Sequence, residues 1–201
     1  MVREPDASLL EQLLAAGGSD SGLHRVTEEV WRDFVERTAE TLDVGPGTSV
    51  FDIGCGSGAF LLPLYQNDYT VGGLDRSAAL IHQAADAMPS GQWLQGEAST
   101  LDPGEPWDVV LACGTFGLFP NLDYARGVLA RMVAKATHAI AILDVPDADT
   151  KDDTAVDGLF YDRAWMLRAL AEIGVKAVQI EDQRVDDYQH ARFRFNVFAR
   201  L

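Results

Sequence analysis

Apolar side chains recur at helical spacing over the first part of the chain. Four leucines predict a short amphipathic helix over residues 6–16, and further apolar residues predict a second helix from about Thr27. Thr27 should cap this helix, since its hydroxyl can accept a hydrogen bond from an N–H group in the next turn. The Gly45-Pro46-Gly47 segment ends it. We call residues 1–45 the preface and expect this helical segment to act as a lid.

After the preface the pattern changes to short apolar runs that alternate with amphipathic stretches. Strands are predicted at residues 49–53, 70–74, 92–95, 107–113, 138–145, 176–181 and 191–199, and helices at 59–67, 77–88, 122–135 and 161–173. Alternating strands and helices form a parallel sheet with right-handed crossovers. Only a loop separates the last two strands, so they should pair as an antiparallel hairpin.

These elements predict an α/β fold. It is a doubly wound, mostly parallel seven-stranded sheet with helices on both faces and a C-terminal antiparallel hairpin, preceded by N-terminal helices. A single domain over residues 1–201 accounts for all of these elements, with the preface at 1–45 and a Rossmann-like core at 46–201.

A glycine cluster between the first strand of the core and its helix is the most informative stretch for function. Gly54, Gly56 and Gly58 follow a buried strand, where a tight turn can bring the backbone against a ligand. The helix behind them presents unpaired N–H groups. Asp75 ends the second strand, where a carboxylate can accept both hydroxyls of an adenosine ribose. Together with Asp52 before the loop, this pattern favours a cofactor site over a plain turn.

A nicotinamide dinucleotide is an alternative cofactor, since Gly54-x-Gly56-x-x-Ala59 fits the tolerant form of that fingerprint. Asp52 counts against it, because a pyrophosphate would be repelled there, whereas an amine-bearing methionine moiety would be attracted. The helical preface also counts against a dinucleotide. So does the terminal hairpin, because it stands where a dinucleotide-binding fold has its second nucleotide-binding half. An oxidoreductase therefore stays open as the weaker interpretation.

Residues 51–60 resemble the first motif of the class I, Rossmann-like S-adenosylmethionine-dependent methyltransferases, and residues 27–201 resemble that family in element order. The resemblance implies S-adenosylmethionine as cofactor and S-adenosylhomocysteine as product. It implies that Asp52 and the backbone of residues 54–58 hold the methionine part and that Asp75 holds the ribose. The residues implied for cofactor binding are Asp52, Gly54, Cys55, Gly56, Gly58, Asp75, Arg76, Glu97, Ala98, Cys113 and Gly114.

Within that set, Arg76 or Ser77 would flank the adenine. Gly96-Glu97-Ala98 resembles the Gly-Asp-Ala segment of the family, so Glu97 would accept the adenine amino group and the Ala98 N–H would meet the ring. Cys113 and Gly114 match the segment that passes nearest the methyl group.

Charge and composition limit the classes of molecule that this protein is expected to bind. The formal net charge of −15 disfavours nucleic acids and anionic membranes, and no apolar run approaches the length of a membrane span. The first residues carry no secretory signal, and two cysteines cannot form a disulfide framework, so we expect a cytoplasmic protein. The expected partner is a small molecule, methylated on oxygen or nitrogen.

A general base is optional in methyl transfer, and four residues are candidates for it: His24, Tyr161, Tyr188 and His190. Each could equally be a surface or packing residue. No cluster has metal-ligand spacing, so no metal is expected. A cofactor-binding or scaffold protein that kept the fold without turnover is a further alternative, because fold likeness cannot separate binding from catalysis.

Overall fold

The computed structural model describes residues 7–17, 22–150 and 158–201. The described residues form one sheet with the strand order β3-β2-β1-β4-β5-β7-β6. Its strands are β1 (Ser49–Ile53), β2 (Thr70–Asp75), β3 (Gln92–Gln95), β4 (Trp107–Cys113), β5 (Ala136–Pro146), β6 (Ala177–Asp182) and β7 (Arg194–Arg200). The first five are parallel, and β7 is antiparallel to both β5 and β6. The predicted fold class, including the terminal hairpin, is confirmed.

The helices follow the predicted order with shifted ends. They are α1 (Leu9–Gly17), α2 (Glu28–Leu42), α3 (Leu61–Gln66), α4 (Ala78–Ala87), α5 (Leu122–Lys135) and α6 (Arg163–Glu172). The Thr27 hydroxyl accepts from the Val30 N–H at 3.3 Å, so the predicted cap of α2 is present. The last strand begins at Arg194 and not at residue 191, because Ala191–Phe193 form a 3₁₀ turn.

Two hydrophobic clusters lie on opposite faces of the sheet. On β5, Ala139, Ala141 and Leu143 face the cluster that contains the preface, whereas Ile140 and Ile142 face the cluster under α5 and α6. The preface contributes Leu10, Leu13 and Leu14 of α1, which are at most 4% exposed. Burial of each such side chain stabilises the fold by about 1.5–3 kcal/mol. The preface is therefore an integral part of this side of the core.

The parallel strands end at a common edge, where their following loops meet. No helix among the described residues has the length and apolar character needed to cross a membrane. The edge formed by the ends of β1, β2, β4 and β5 positions the candidate site.

Candidate functional site

The glycine loop begins at Gly54, whose backbone has a φ of 74°, a conformation that favours glycine. A Cβ atom here would overlap the side chain of Thr115, which follows β4. The Gly54 N–H donates to the Leu74 carbonyl at 2.7 Å, and the Thr115 hydroxyl donates to the Ile53 carbonyl at 3.1 Å. The turn after β1 is thus held by both neighbouring strands and lies open at the sheet edge.

Asp75 is held by the loop that it faces. Its Oδ2 accepts from the Gly56 N–H at 2.9 Å, and its Oδ1 accepts from the Ser77 N–H at 2.8 Å. A carboxylate oxygen has a second lone pair, so each oxygen can accept a further hydrogen bond. The side chain is therefore fixed in place and still able to receive two hydroxyl groups.

Asp52 is buried at the end of β1, with 2% of its surface exposed. Burial, and next the negative charge of Asp75, raise its pKa well above the ordinary value. No residue in the described part of the chain hydrogen-bonds to its Oδ1. A buried carboxylate of this kind is stabilised by a cation or a strong donor, so the residue fits an ammonium group of a ligand.

Gly54 lines two cavities, one on each side of the glycine loop. The outer cavity has a volume of about 320 Å³, in the lower range of small-molecule sites, which hold about 300–1,000 Å³. Besides Gly54, its lining consists of Leu74, Asp75, Arg76, Gly96, Glu97, Ala98, Thr115, Leu118, Phe119, Pro120 and Tyr124. The outer cavity thus offers apolar walls together with two carboxylates.

The inner cavity, of about 90 Å³, lies between the glycine loop and the preface. The preface contributes Leu14, Gly17, Leu23, His24 and Trp31, and the core contributes Asp52, Gly54, Cys55, Gly56, Ser57, Ala59, Phe60, Cys113 and Gly114. Two buried hydrogen bonds hold the preface against the loop. The Ser57 hydroxyl donates to the Leu13 carbonyl at 2.6 Å, and the Trp31 indole N–H donates to the Ala59 carbonyl at 3.0 Å.

A family profile described as a methyltransferase domain matches residues 50–145, which run from β1 to the end of β5. This stretch, just under half of the chain, is similar to the domain of S-adenosylmethionine-dependent methyltransferases of the class I fold. The resemblance of the glycine loop to this family is confirmed, and S-adenosylmethionine is the methyl donor of the family.

Similar proteins include other methyltransferases. Nocamycin O-methyltransferase from Saccharothrix syringae is 31% identical over 114 residues, 52% of this chain and 41% of that protein. An uncharacterized methyltransferase from Synechocystis is 36% identical over 72 residues, 36% of this chain and 34% of that protein. The alignments therefore span less than half of these curated relatives.

This chain is similar in structure to CalS10 from Micromonospora echinaspora, which was solved with bound S-adenosylmethionine. CalS10 is an amino pentose methyltransferase involved in calicheamicin biosynthesis. Its TM-score is 0.76 at 15% identity, over 100% of this chain and 99% of that one. At this identity the likeness shows that the two chains share the methyltransferase fold.

The residues that the family resemblance implies for cofactor binding divide between the two cavities. The inner cavity contains Asp52, Cys55, Gly56, Cys113 and Gly114, the outer one contains Asp75, Arg76, Glu97 and Ala98, and Gly54 belongs to both. Gly58 is placed differently. A Cβ atom there would lie 2.5 Å from Met88 Cε, and the residue lines neither cavity. Gly58 therefore allows the loop to pack closely against α4.

Three of the four candidate bases come together although they are far apart in sequence. His24 lines the inner cavity, and burial, followed by the charge of Arg25, lowers its pKa. Tyr188 is buried, and its ring centroid lies 6.1 Å from that of His190. His190 in turn lies next to Gly22, two residues before His24. The preface thus meets the loop between β6 and β7 beside the inner cavity.

Tyr161 is separate from this group. It is 0% exposed, its hydroxyl donates to the Phe116 carbonyl at 2.8 Å, and its ring packs against Phe116 and Trp165. Burial raises the pKa of its phenol. The structure therefore places this predicted catalytic candidate in the core under α6, where it joins the loop after β4 to the start of that helix.

Asp144 is a buried residue that the sequence pattern did not single out. It is 1% exposed near the end of β5, and its carboxylate accepts a hydrogen bond from the Tyr188 hydroxyl at 3.2 Å. The available signal was an acidic residue inside the apolar run of residues 139–145. Asp147, in the acidic loop that follows, is buried and ion-paired with Arg163 at 2.7 Å. Residues 151–157 of that loop lie outside the described residues.

Proposed function

We propose that this chain binds S-adenosylmethionine and transfers its methyl group to an oxygen or nitrogen atom of a small molecule. The observation that carries the proposal is the position of Gly54 between the two cavities. One cavity contains the buried carboxylate of Asp52, and the other contains Asp75 and Glu97. This arrangement suits an elongated ligand with an amine at one end and a nucleoside at the other.

Each end of the cofactor has a matching group in the chain. Asp52 would accept from the methionine ammonium, and Asp75 would accept from the ribose hydroxyls. Glu97 and Ala98 would meet the adenine, with Leu74 and Phe119 as apolar walls. A dinucleotide is a poorer fit, because its pyrophosphate would lie beside Asp52.

When bound, the cofactor supplies a methyl group that its sulfonium already activates for displacement. Alignment of the acceptor with that group is worth about 7–11 kcal/mol in favourable cases. We assign the alignment to the walls of the inner cavity, including Cys113 and Gly114. The burial that lowers the pKa of His24 keeps its imidazole neutral at neutral pH. His24 would take the acceptor proton as the new bond to the methyl carbon forms.

A small acceptor is favoured over a macromolecule. The preface covers the inner cavity through the Ser57–Leu13 and Trp31–Ala59 hydrogen bonds, as a lid over a small pocket would. The net charge of −15 opposes contact with polyanions such as RNA. Nocamycin O-methyltransferase and CalS10 are relatives whose names indicate small-molecule acceptors. The free thiols of Cys55 and Cys113 suit a reducing compartment, and we place the protein in the cytoplasm.

Calorimetry with S-adenosylhomocysteine and with NADP tests the cofactor assignment. We expect the first ligand to bind and the second not to, and the reverse result would favour an oxidoreductase. Methyl-labelled S-adenosylmethionine, offered with a panel of small alcohols, phenols and amines and separately with intact RNA, tests turnover. Label in small acceptors alone is expected. Cofactor binding without any transfer would favour a non-catalytic protein.

A further inference from the structure

The backbone of β5 is irregular at Asp144. This residue has a φ of 58°, in the left-handed region that costs a non-glycine residue about 1–2 kcal/mol. The pairing of β5 with β7 shifts its register between Ile142 and Val145, so Asp144 lies within a β-bulge. Bulges next to a site re-aim a side chain, and a strained residue that persists there indicates function.

The bulge changes the face on which Asp144 lies. Strict alternation would place it with Ile142, toward the cluster under α5 and α6. Instead, Val145 takes that face, and the Asp144 carboxylate accepts from Tyr188, a member of the cluster on the preface side. The extra residue in the strand therefore carries the carboxylate to the side of the sheet that holds the inner cavity.

Gly114 lies next to this carboxylate. A Cβ atom on Gly114 would point toward Asp144 Oδ2 at 3.9 Å, and it would meet nothing else in the described residues within 4 Å, its chain neighbours aside. Gly114 itself lines the inner cavity with Asp52 and His24. The Asp144 carboxylate thus lies directly beside a residue that lines the inner cavity.

Buried polar neighbours fix the position of Asp144. Its backbone N–H donates to Asn196 Oδ1 at 2.9 Å, and Asn196 Nδ2 donates to Gln183 Oε1 at 3.2 Å. Both amide side chains are at most 6% exposed. A buried network of this kind is costly unless well satisfied, and it holds its members in one arrangement.

We propose that Asp144 binds a hydrogen-bond-donating group of the methyl acceptor, with Tyr188 as a positioning residue that orients the carboxylate. This inference rests on the proposed function and narrows its substrate class. An ionised carboxylate only accepts hydrogen bonds, so its partner must carry an O–H or N–H donor, as a hydroxyl or an ammonium group does. An acceptor with a carboxylate at this point is disfavoured, because it would face the carboxylate of Asp144 without a hydrogen-bond donor between them. The acceptors of this enzyme are therefore alcohols or amines.

The test uses the full chain saturated with S-adenosylhomocysteine. Two small probes are then added separately: ethanolamine, which carries an ammonium group, and glycolate, which carries a carboxylate. Amide chemical shifts of Gly114 and Tyr188 report binding. We expect ethanolamine, and not glycolate, to shift them. Asp144→Asn should weaken ethanolamine binding about tenfold or more, the effect of a lost hydrogen bond to a charged group. Tyr188→Phe should weaken it less, because the carboxylate stays.

Asp68→Asn is the matched control, because Asp68 has a similar φ of 62° but is exposed and lines neither cavity. It should bind ethanolamine as the parent does. The inference is wrong if ethanolamine leaves both amides unshifted, if glycolate binds equally, or if Asp144→Asn binds like the parent. Failure of the parent to bind S-adenosylhomocysteine in the first step would instead overturn the proposed function.

Discussion

The hydroxyl of Ser57 donates a hydrogen bond of 2.6 Å to the carbonyl of Leu13, 44 residues earlier in the chain. Ser57 lies in the glycine loop, and Leu13 lies in α1, so one buried contact joins the preface to the segment that lines both cavities. Docking of the preface and the shape of the loop are therefore coupled.

Ser57→Ala should lower the free energy of unfolding by about 0.5–1.5 kcal/mol, because it removes the buried hydrogen bond to the Leu13 carbonyl. Urea denaturation measures the change. Ser90→Ala is the control, since the Ser90 hydroxyl donates to Tyr65 at an exposed position. Its effect should stay within about 0.5 kcal/mol. Equal effects of the two variants would contradict the coupling.

Asp52→Asn should stabilise the ligand-free protein while it weakens cofactor binding. The pKa of Asp52 is raised in the folded state, so its contribution to stability is present at low pH and is lost as pH rises through that pKa. The amide of the Asp52→Asn variant carries no charge, so the variant does not lose this stability at neutral pH. Its melting temperature should therefore be higher than that of the parent. Affinity for S-adenosylhomocysteine should fall by about 1.5–3 kcal/mol, because the ammonium loses its charged partner.

Asp108→Asn is the comparison, because its effect on the melting temperature should have the opposite sign. Hydrogen bonds from the Ser49 N–H and hydroxyl lower the pKa of Asp108, so its stabilisation is present above the unfolded pKa and is lost as pH falls. This variant should melt at a lower temperature at neutral pH and bind S-adenosylhomocysteine normally. A destabilised Asp52→Asn protein would show that the backbone hydrogen bond between Cys113 and the Asp52 carboxylate outweighs the cost of burying the charge, and would count against an ammonium site there.

Asp75→Ala should weaken S-adenosylhomocysteine binding by about 1.5–3 kcal/mol through the lost ribose contacts. The substitution also removes the acceptor of the Gly56 N–H, which loosens the loop. Calorimetry measures the affinity, with Asp86→Ala, an exposed carboxylate on α4, as the control. Parental affinity in Asp75→Ala would remove Asp75 from the cofactor site.

His24→Gln should lower kcat by about 10²-fold, the lower range for loss of a general base. In the parent, kcat should rise with pH through a pKa below 6.5, the ordinary histidine value, because protonation at lower pH removes the proton acceptor. The variant should lack this acidic limb and keep its affinity for S-adenosylhomocysteine. His82→Gln, on the exposed face of α4, should retain the limb. An unchanged pH profile in His24→Gln would exclude this role.

The sequence predicted those features of the fold and the site that depend on residues close together in the chain. Strand periodicity and the glycine cluster indicated β1, the loop and Asp75, because each depends on residues close to it in the chain. The sequence could not place His24 beside Tyr188 and His190, since tertiary packing alone brings the preface to the terminal hairpin. Tyr161 and Tyr188 were equivalent candidates in the sequence. Burial then placed Tyr161 in the core and Tyr188 next to Asp144.

The family profile begins at residue 50, whereas the inner cavity is also lined by preface residues that precede the matched stretch. Its hydrogen bonds to the preface use the backbone carbonyls of Leu13 and Ala59, which every amino acid possesses. The hydrogen bond to the Leu13 carbonyl therefore does not depend on the identity of that preface side chain, whereas the bond to Ala59 requires the indole of Trp31. His24 and Tyr188 both lie outside the stretch that matches the family profile. New substrate preferences should arise first at positions such as His24 and Tyr188.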